Sequence, residues 1–550
     1  MRKKLALRAD PLGRLFIMWG MAWAAAPTAL WAQERPTSPW PDAYRMSGSV
    51  FVGGGGELAE DVEQRFVALA GGAEARIVVI PISSSRSNDA AQTASRDRWS
   101  RHGVASVESG EVPTAETSGV WLDSGEETDL IEGLHRTGLE EQLAALIARG
   151  GAVGANGRGA AAMTALSIVG GDHHARVGRG LDVVPGAVVL TGFSSDETAS
   201  LRLLSALTSN PGRVGIGIDA GTAIAIDGAS RTLPGRGIQV LGEGDVTLLL
   251  AANEFKPVRR QVYRARRGEM SVASEEDRAQ TGQRRGARAG QRRGGRQGRG
   301  ETRGARGGGG GRIIADLGAW RRDAIERTLP EPFPAPEPVT PFVENGTLFI
   351  VGGGGSPTDL YRKMVEKAGG DAAKFVYIPC SEAADVGDQS RTANNFVRNG
   401  AAEATWIHTK DRVKANTDEA ILGPLREATG LWFGGGRQWN FVDSYHGTTA
   451  MELMQDVLAR GGVVGGSSAG ASIQGEWLAR ADPLGNADIL APGYERGLGF
   501  IEGVAIDQHF RQRNRFLNMT GLMKEYPQLL GIGLDEATAI VVEKSIAEVI

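Results

Sequence analysis

The chain has 550 residues, 41% hydrophobic and 23% charged, with a formal net charge of −4 and one cysteine, Cys380. That length favours two or more domains over a single core, and the composition is ordinary for a soluble globular protein. One cysteine excludes an intrachain disulfide, and the net charge says little about partners.

The chain opens on a basic stretch, MRKKLALR, followed by the uncharged apolar run Leu15 to Ala32, which closes in small residues. This is the layout of a secretory signal peptide over residues 1–32, with cleavage after Ala32. A secreted or periplasmic protein without a stable membrane anchor is the expectation. The run is just long enough to span a bilayer, so an uncleaved anchor is the alternative.

Beyond it the sequence repeats itself. SVFVGGGGE at Ser49 matches TLFIVGGGGS at Thr347, and ARIVVIPISS at Ala75 matches AKFVYIPCSE at Ala373. GVWLDSGEE at Gly119 matches GLWFGGGRQ at Gly430, and GIGIDAGTAIAI at Gly215 matches GIGLDEATAIVV at Gly531. Preserved order over a domain-sized period predicts a tandem duplication rather than a solenoid. Residues 46–255 form the first copy and 341–550 the second. Within each, short β-branched runs bounded by glycine alternate with helical stretches. That pattern predicts two α/β domains, each doubly wound around a mostly parallel sheet, with chemistry at the carboxyl ends of the strands.

Residues 256–340 read as a linker. Its centre, residues 280–312, holds ten arginines, one acidic residue and no aromatic. Such a tract buries too little apolar area to offset its ordering entropy, so it is expected to be disordered. An RNA-binding reading lacks the aromatics that stack on bases, so no nucleic-acid partner is expected.

In the second copy Gly466-Ser467-Ser468-Ala469-Gly470 fits G-x-S-x-G, a strained strand-to-helix turn that exposes its middle serine. Backbone N–H groups of the following helix would face a reacting carbonyl. A serine nucleophile needs a base, and the base an orienting acid. His509 follows the apolar run EGVAI and sits among polar neighbours, and Asp535 and Glu536 follow another strand.

The motifs GGSSAGAS, FGGGRQ, DQHFRQRNR and GIGLDEATAIVV, in that order, resemble the cyanophycinases. These are serine peptidases related to aspartyl dipeptidases, with a class I glutamine-amidotransferase-like fold. The resemblance runs from about Thr347 to Ile550. It implies Ser468 as nucleophile, His509 as general base and acid, and Glu536 as the orienting carboxylate, with Asp535 as the alternative. It places the oxyanion hole at the N–H of Ala469 and one N–H of the Gly434-Gly435-Gly436 loop. The implied substrate-binding residues are Gln438, Asp507, Gln508, Arg513 (with Arg511 close by) and Arg515. The implied substrate is a β-linked aspartyl-arginine polymer, cut to dipeptides; the sequence shows no histidines or carboxylates at metal-ligand spacing, so no metal or cofactor is expected. Arginines suit its carboxylates, and Asp507 its guanidiniums.

Alignment places Gly157 opposite Ser468, Gly192 opposite His509, Ala220 opposite Glu536 and Glu127 opposite Gln438. The first copy is therefore expected to be catalytically dead, packing on the second as an internal pseudo-dimer or holding polymer without cutting it. The first copy continues past GTAIAI with a final strand pair, whereas the second stops at VVEKSIAEVI, which predicts an unpaired sheet edge and a truncated last strand. The competing class is an exported, non-catalytic peptide- or polymer-binding protein with two α/β lobes.

Overall fold

The computed structural model describes residues 46–81, 89–123, 138–195, 198–265 and 313–550. The expected signal peptide, residues 280–312 and Glu127 lie outside the described residues. No helix among the described residues is long and apolar enough to cross a membrane.

Alternation along a buried strand explains how each half is layered. In the strand Val343–Val351, Leu348 and Ile350 point into one apolar cluster while Phe349 and Val351 point into another. A strand apolar on both sides must be covered on both faces, which is the doubly wound arrangement. The first half does the same at Ser49–Gly53, with Val50 and Val52 on one face and Phe51 on the other.

The main sheet of the second half runs in the order Glu403–Trp406, Lys374–Ile378, Gly430–Phe433, Val463–Ser467, Val343–Val351, Ala539–Lys544, Ile546–Val549. The first five are mutually parallel, Ala539–Lys544 runs antiparallel to Val343–Val351, and Ile546–Val549 runs antiparallel to Ala539–Lys544. The first half repeats this order with Ser106–Ser109, Arg76–Pro81, Gly119–Asp123, Ala152–Asn156, Ser49–Gly53, Thr222–Ile226 and Gly237–Gly242, and adds Ile313–Asp316 at the edge. The fold is thus α/β, with a mostly parallel main sheet in each half.

Each half also carries a smaller sheet. In the second half it is Gly475–Trp477, Ile501–Gln508 and Leu530–Leu534, all parallel. In the first half Ala187–Thr191 lies parallel to Val214–Ile218, and Asp245–Leu250 and Arg259–Arg264 extend the sheet. Leu530–Leu534 has no such extension among the described residues, and Leu530 is 50% exposed. The chain's last strand, Ile546–Val549, instead folds back on Ala539–Lys544 as a hairpin.

One boundary differs from the sequence reading. Parts of the expected linker are ordered: Arg259–Arg264 and Ile313–Asp316 are strands of the first half's sheets, and Leu317–Glu326 is a helix. Asp316 caps that helix, accepting a hydrogen bond from Gly318 N at 2.9 Å. Tyr263 and Trp320 are buried in the core of the first half, which gives these segments the apolar anchors that the arginine-rich tract lacks.

Candidate active site

Three adjacent parallel strands, Gly430–Phe433, Val463–Ser467 and Val343–Val351, end at the same edge of the second half. They deliver there the Gly434–Gly436 loop, the turn at Ser468 and the Gly352–Gly355 loop. The smaller sheet delivers His509 from the end of Ile501–Gln508 and Glu536 from just past Leu530–Leu534. Backbone hydrogen bonds from His509 N to Gly352 O (2.9 Å) and from Ala537 N to Gly353 O (2.8 Å) join the two sheets at this point.

Ser468 occupies φ 56°, ψ −114°, a conformation that side chains rarely adopt. The turn throws its hydroxyl clear of the strand. Ser468 Oγ lies 2.9 Å from His509 Nε2, and His509 Nδ1 lies 2.6 Å from Glu536 Oε1. Between them the two ring nitrogens meet one hydroxyl and one carboxylate. With Glu536 accepting from Nδ1–H, Nε2 is the free base facing the serine.

Asp535, the alternative orienting acid, is engaged elsewhere. Its Oδ1 accepts from Arg511 N at 2.9 Å, and Arg511 Nε lies 3.3 Å from its other oxygen. Burial, the largest influence, lowers the pKa of His509 below 6.5; the hydrogen bond to Glu536 works against this, and Arg513 and Arg515 add to it. The imidazole is therefore neutral at neutral pH and able to take a proton.

Glycine makes this assembly possible. A Cβ on Gly353 would lie 2.4 Å from His509 Cε1, and one on Gly354 would lie 2.5 Å from Glu536 Cδ. Both residues have positive φ, +96° and +67°. Gly435 lies against Ser468, where a Cβ would stand 3.5 Å from Ser468 Cβ. The chain places Ala469 N directly after Ser468, at the start of the helical turn Ala469–Ser472.

The remaining residues implied by the resemblance divide into two groups. Asp507 is fully buried, and Arg480 Nε (3.0 and 2.9 Å) and Arg515 Nη1 (2.8 Å) occupy its oxygens. It does not present a carboxylate to a substrate guanidinium, because two internal guanidiniums already neutralise it. Arg515, 3% exposed, also donates to Gln508 O, so it braces the strand end before His509. Gln438 is 3% exposed and donates to Ala479 O at 2.5 Å. Gln508 is buried, and its Oε1 has no hydrogen-bond partner among the described residues. Arg511 and Arg513 are exposed at the rim.

Arg480 and Gln512 went unrecognised in sequence. Gln512 Oε1 accepts from Glu536 N at 3.1 Å. No local pattern marks either residue, since Asp507 and Glu536, the partners that tie them to the site, stand more than twenty positions away. Gly353 and Gly354 did carry a signal, the four-glycine run after a strand.

The first half reproduces the frame without the hydroxyl, imidazole and carboxylate. Gly157 N bonds Gly53 O as Ser468 N bonds Val351 O, and Gly192 N bonds Gly54 O as His509 N bonds Gly352 O. Gly221 N bonds Gly55 O as Ala537 N bonds Gly353 O, which sets Ala220 at the place of Glu536. Gly157 keeps the turn's backbone, φ 57°, ψ −127°. Strand register sets Leu190 where the second half has Asp507. A cavity of about 270 Å³, lined in part by Leu190, Thr191, Arg158 and Arg202, opens beside it.

Peptidase family S51 matches residues 348–550, which span the strands and loops just described. The cyanophycinase of Geminocystis herdmanii is 28% identical over 205 residues, covering 36% of this chain and 74% of that protein. The cyanophycinase of Trichormus variabilis is 27% identical over 215 residues, covering 37% and 70%. Among solved structures, a peptidase from an acI-B1 Actinobacterium aligns at 17% identity and a TM-score of 0.32, over 42% of this chain and 99% of that one.

Proposed function

We propose that a peptidase S51 domain at residues 348–550 makes this protein a serine peptidase of the cyanophycinase type. It hydrolyses aspartyl or β-aspartyl peptide bonds and releases dipeptides. The observation that carries the reading is the unbroken hydrogen-bond chain from Ser468 through His509 to Glu536, built on a strained turn.

In the proposed reaction Ser468 Oγ attacks the scissile carbonyl carbon while its proton passes to His509 Nε2. The carbonyl π electrons move onto oxygen, and the N–H groups of Gly435 and Ala469 stabilise that charge. Glu536 holds the imidazolium. When the tetrahedral intermediate collapses, the C–N bond breaks and His509 returns the proton to the leaving amine. Water then repeats the sequence on the acyl-enzyme, with His509 again as base, and frees Ser468. Gln508, whose Oε1 has no hydrogen-bond partner among the described residues, and the exposed Arg513 are left to meet the substrate's polar groups.

The first half, with Gly157, Gly192 and Ala220 at the three positions, performs no such step. We attribute its shared strand order and shared backbone hydrogen bonds to duplication, with the two halves packing as a pseudo-dimer. Export follows from the N-terminal charge and apolar pattern, and a mature protein beginning at Gln33 in the extracytoplasmic fraction tests it.

The deciding experiment incubates purified protein with cyanophycin and with a panel of α- and β-aspartyl peptides, then identifies products by mass. In parallel a fluorophosphonate probe is mapped by peptide sequencing. Dipeptide release and label on Ser468 are expected. Absence of both would leave the competing reading, a binding protein with two α/β lobes.

A further inference from the structure

The two halves share a buried charge cluster that reaches the candidate site through a single helix. Arg236, 1% exposed, stands at the entrance to the first-half strand Gly237–Gly242. Its Nε and Nη2 donate to Asp316 at 2.7 and 2.5 Å. Its Nη1 donates to Asp443 Oδ2 at 2.6 Å, across the junction between halves. Nη2 also reaches Tyr494 Oη at 2.5 Å, and that hydroxyl donates to Asp443 Oδ1 at 2.6 Å. The guanidinium lies 5.3 Å from the ring centroid of Trp439. Leu233, three residues before Arg236, is buried in the core cluster of the second half.

Asp443 and Trp439 belong to the helix Trp439–Tyr445, every residue of which is buried. That helix starts directly after Gly434–Gln438, the segment whose Gly435 lies against Ser468. The stretch between is held firmly. Arg437 Nη2 donates to Asp482 O (2.5 Å) and Gly485 O (2.9 Å), and Lys410 Nζ holds Asn440 O at 3.1 Å. A shift at Asp443 has little slack to absorb it before Gly435. Burial alone would raise the pKa of Asp443, but Arg236, Lys410 and Tyr494 outweigh it and keep the carboxylate charged. A planar fork with five donors makes these four hydrogen bonds of Arg236 at once, one more than the three donors of an ammonium allow.

We propose that Arg236 is a positioning residue that the first half contributes to the site in the second. It fixes the helix Trp439–Tyr445 through Asp443 and thereby sets the N–H of Gly435 against the oxygen on which charge develops. The inference rests on the hydrolase reading. It gives a half without nucleophile, base or acid a physical reason to stay attached: the oxyanion loop is aligned from outside its own domain.

The test uses the full chain, wild type, Arg236→Lys and Glu326→Gln. Glu326 pairs with Arg496 across the same junction, at 2.7 Å, and makes no hydrogen bond or ion pair to the helix Trp439–Tyr445 among the described residues. Three quantities are read: kcat and KM on the peptide the wild type cleaves best, the rate of fluorophosphonate labelling at Ser468, and Tm. Arg236→Lys is expected to lower kcat and the labelling rate together, about 10–100-fold, with KM unchanged. Glu326→Gln is expected to keep both rates within about twofold at a similar loss of Tm. Should Arg236→Lys fail to fold, Tyr494→Phe removes one bridge from the cluster and is expected to lower kcat about 3–10-fold, again with KM unchanged. Wild-type rates in the folded Arg236 or Tyr494 variant would overturn the proposal alone. So would losses that track Tm equally at Arg236 and Glu326. A wild type that neither labels nor turns over would overturn the hydrolase reading, and this proposal with it.

Discussion

The turn at Ser468 should store backbone strain, and replacing the serine by glycine should release it. Ser468 sits at φ 56°, ψ −114°, and the first half holds glycine in nearly the same conformation at Gly157, φ 57°, ψ −127°. A side chain in such a region costs about 1–3 kcal/mol. Glycine removes that cost but gains roughly 0.4–1 kcal/mol of unfolded-state freedom. Ser468→Ala and Ser468→Gly both lose the hydroxyl and its bond to His509, so comparing them isolates the backbone. Ser468→Gly should be the more stable by about 1 kcal/mol, a rise of roughly 2–4 °C in Tm for a domain of this size. The reverse change, Gly157→Ala, should destabilise by a similar amount. Its cost is conformational rather than steric, because the nearest heavy atom to the added Cβ is Gly55 Cα at 3.5 Å. The assay is calorimetric or denaturant unfolding of the three variants, with turnover measured alongside. Both serine variants should be inactive, and Gly157→Ala should leave the chemical step unchanged. Equal melting of the two serine variants, together with a neutral Gly157→Ala, would refute stored strain at this turn.

Other outcomes follow from the same geometry. His509→Ala should abolish turnover, with a loss on the order of 10⁶, and Glu536→Gln should cost roughly 10⁴. Steady-state kinetics reads both, and an active His509→Ala would end the assignment of the base. Gly353→Ala drives a methyl into the His509 ring, so it should remove activity while far-UV circular dichroism stays native; full activity would place the ring elsewhere. The base must be neutral, and burial lowers the pKa of His509, so the acid limb of kcat/KM should fall below pH 6.5. Because Glu536 raises that pKa, the residual activity of Glu536→Gln should show its acid limb at lower pH still; a limb above pH 7 in the wild type contradicts this. Burial pushes the Cys380 thiol up to about 12, so iodoacetamide should neither alkylate it readily at neutral pH nor inhibit, whereas a sulfonyl fluoride should inhibit.

Much of the architecture was legible because it depends on short-range pattern. Glycine-bounded β-branched runs such as LFIV and VVGG are buried on both faces and read as parallel strands. The four-glycine run and G-x-S-x-G marked where backbone had to pass close to a side chain. Ser468, His509 and the adjacent pair Asp535 and Glu536 stood out because each follows a recognisable apolar run, and the resemblance to the cyanophycinases favoured Glu536 within the pair. Asp507 and Arg515 show where such reading fails. A charged residue beside a reactive histidine has the same sequence signature whether it faces a ligand or a second internal charge. Only the placement of Arg480, from a loop after the strand Gly475–Trp477, and of Arg515 decides that Asp507 is already neutralised. The segments around Tyr263 and Trp320 failed similarly, since their charged neighbours masked two buried aromatics.

The sequence by itself determined the α/β class, the repeated order of strands and the positions at which one half carries a hydroxyl, an imidazole and a carboxylate while the other carries none. These are properties of periodicity and residue type along the chain. Tertiary structure alone decided which acid reaches the histidine, which charges cancel inside the protein, and that a guanidinium from the first half ends beneath the helix following Gly434–Gln438. Hydrogen bonds and ion pairs act over about three ångströms. The residues that make them here are separated by up to 258 positions, as Arg236 and Tyr494 are, a distance over which local sequence carries no record of who meets whom.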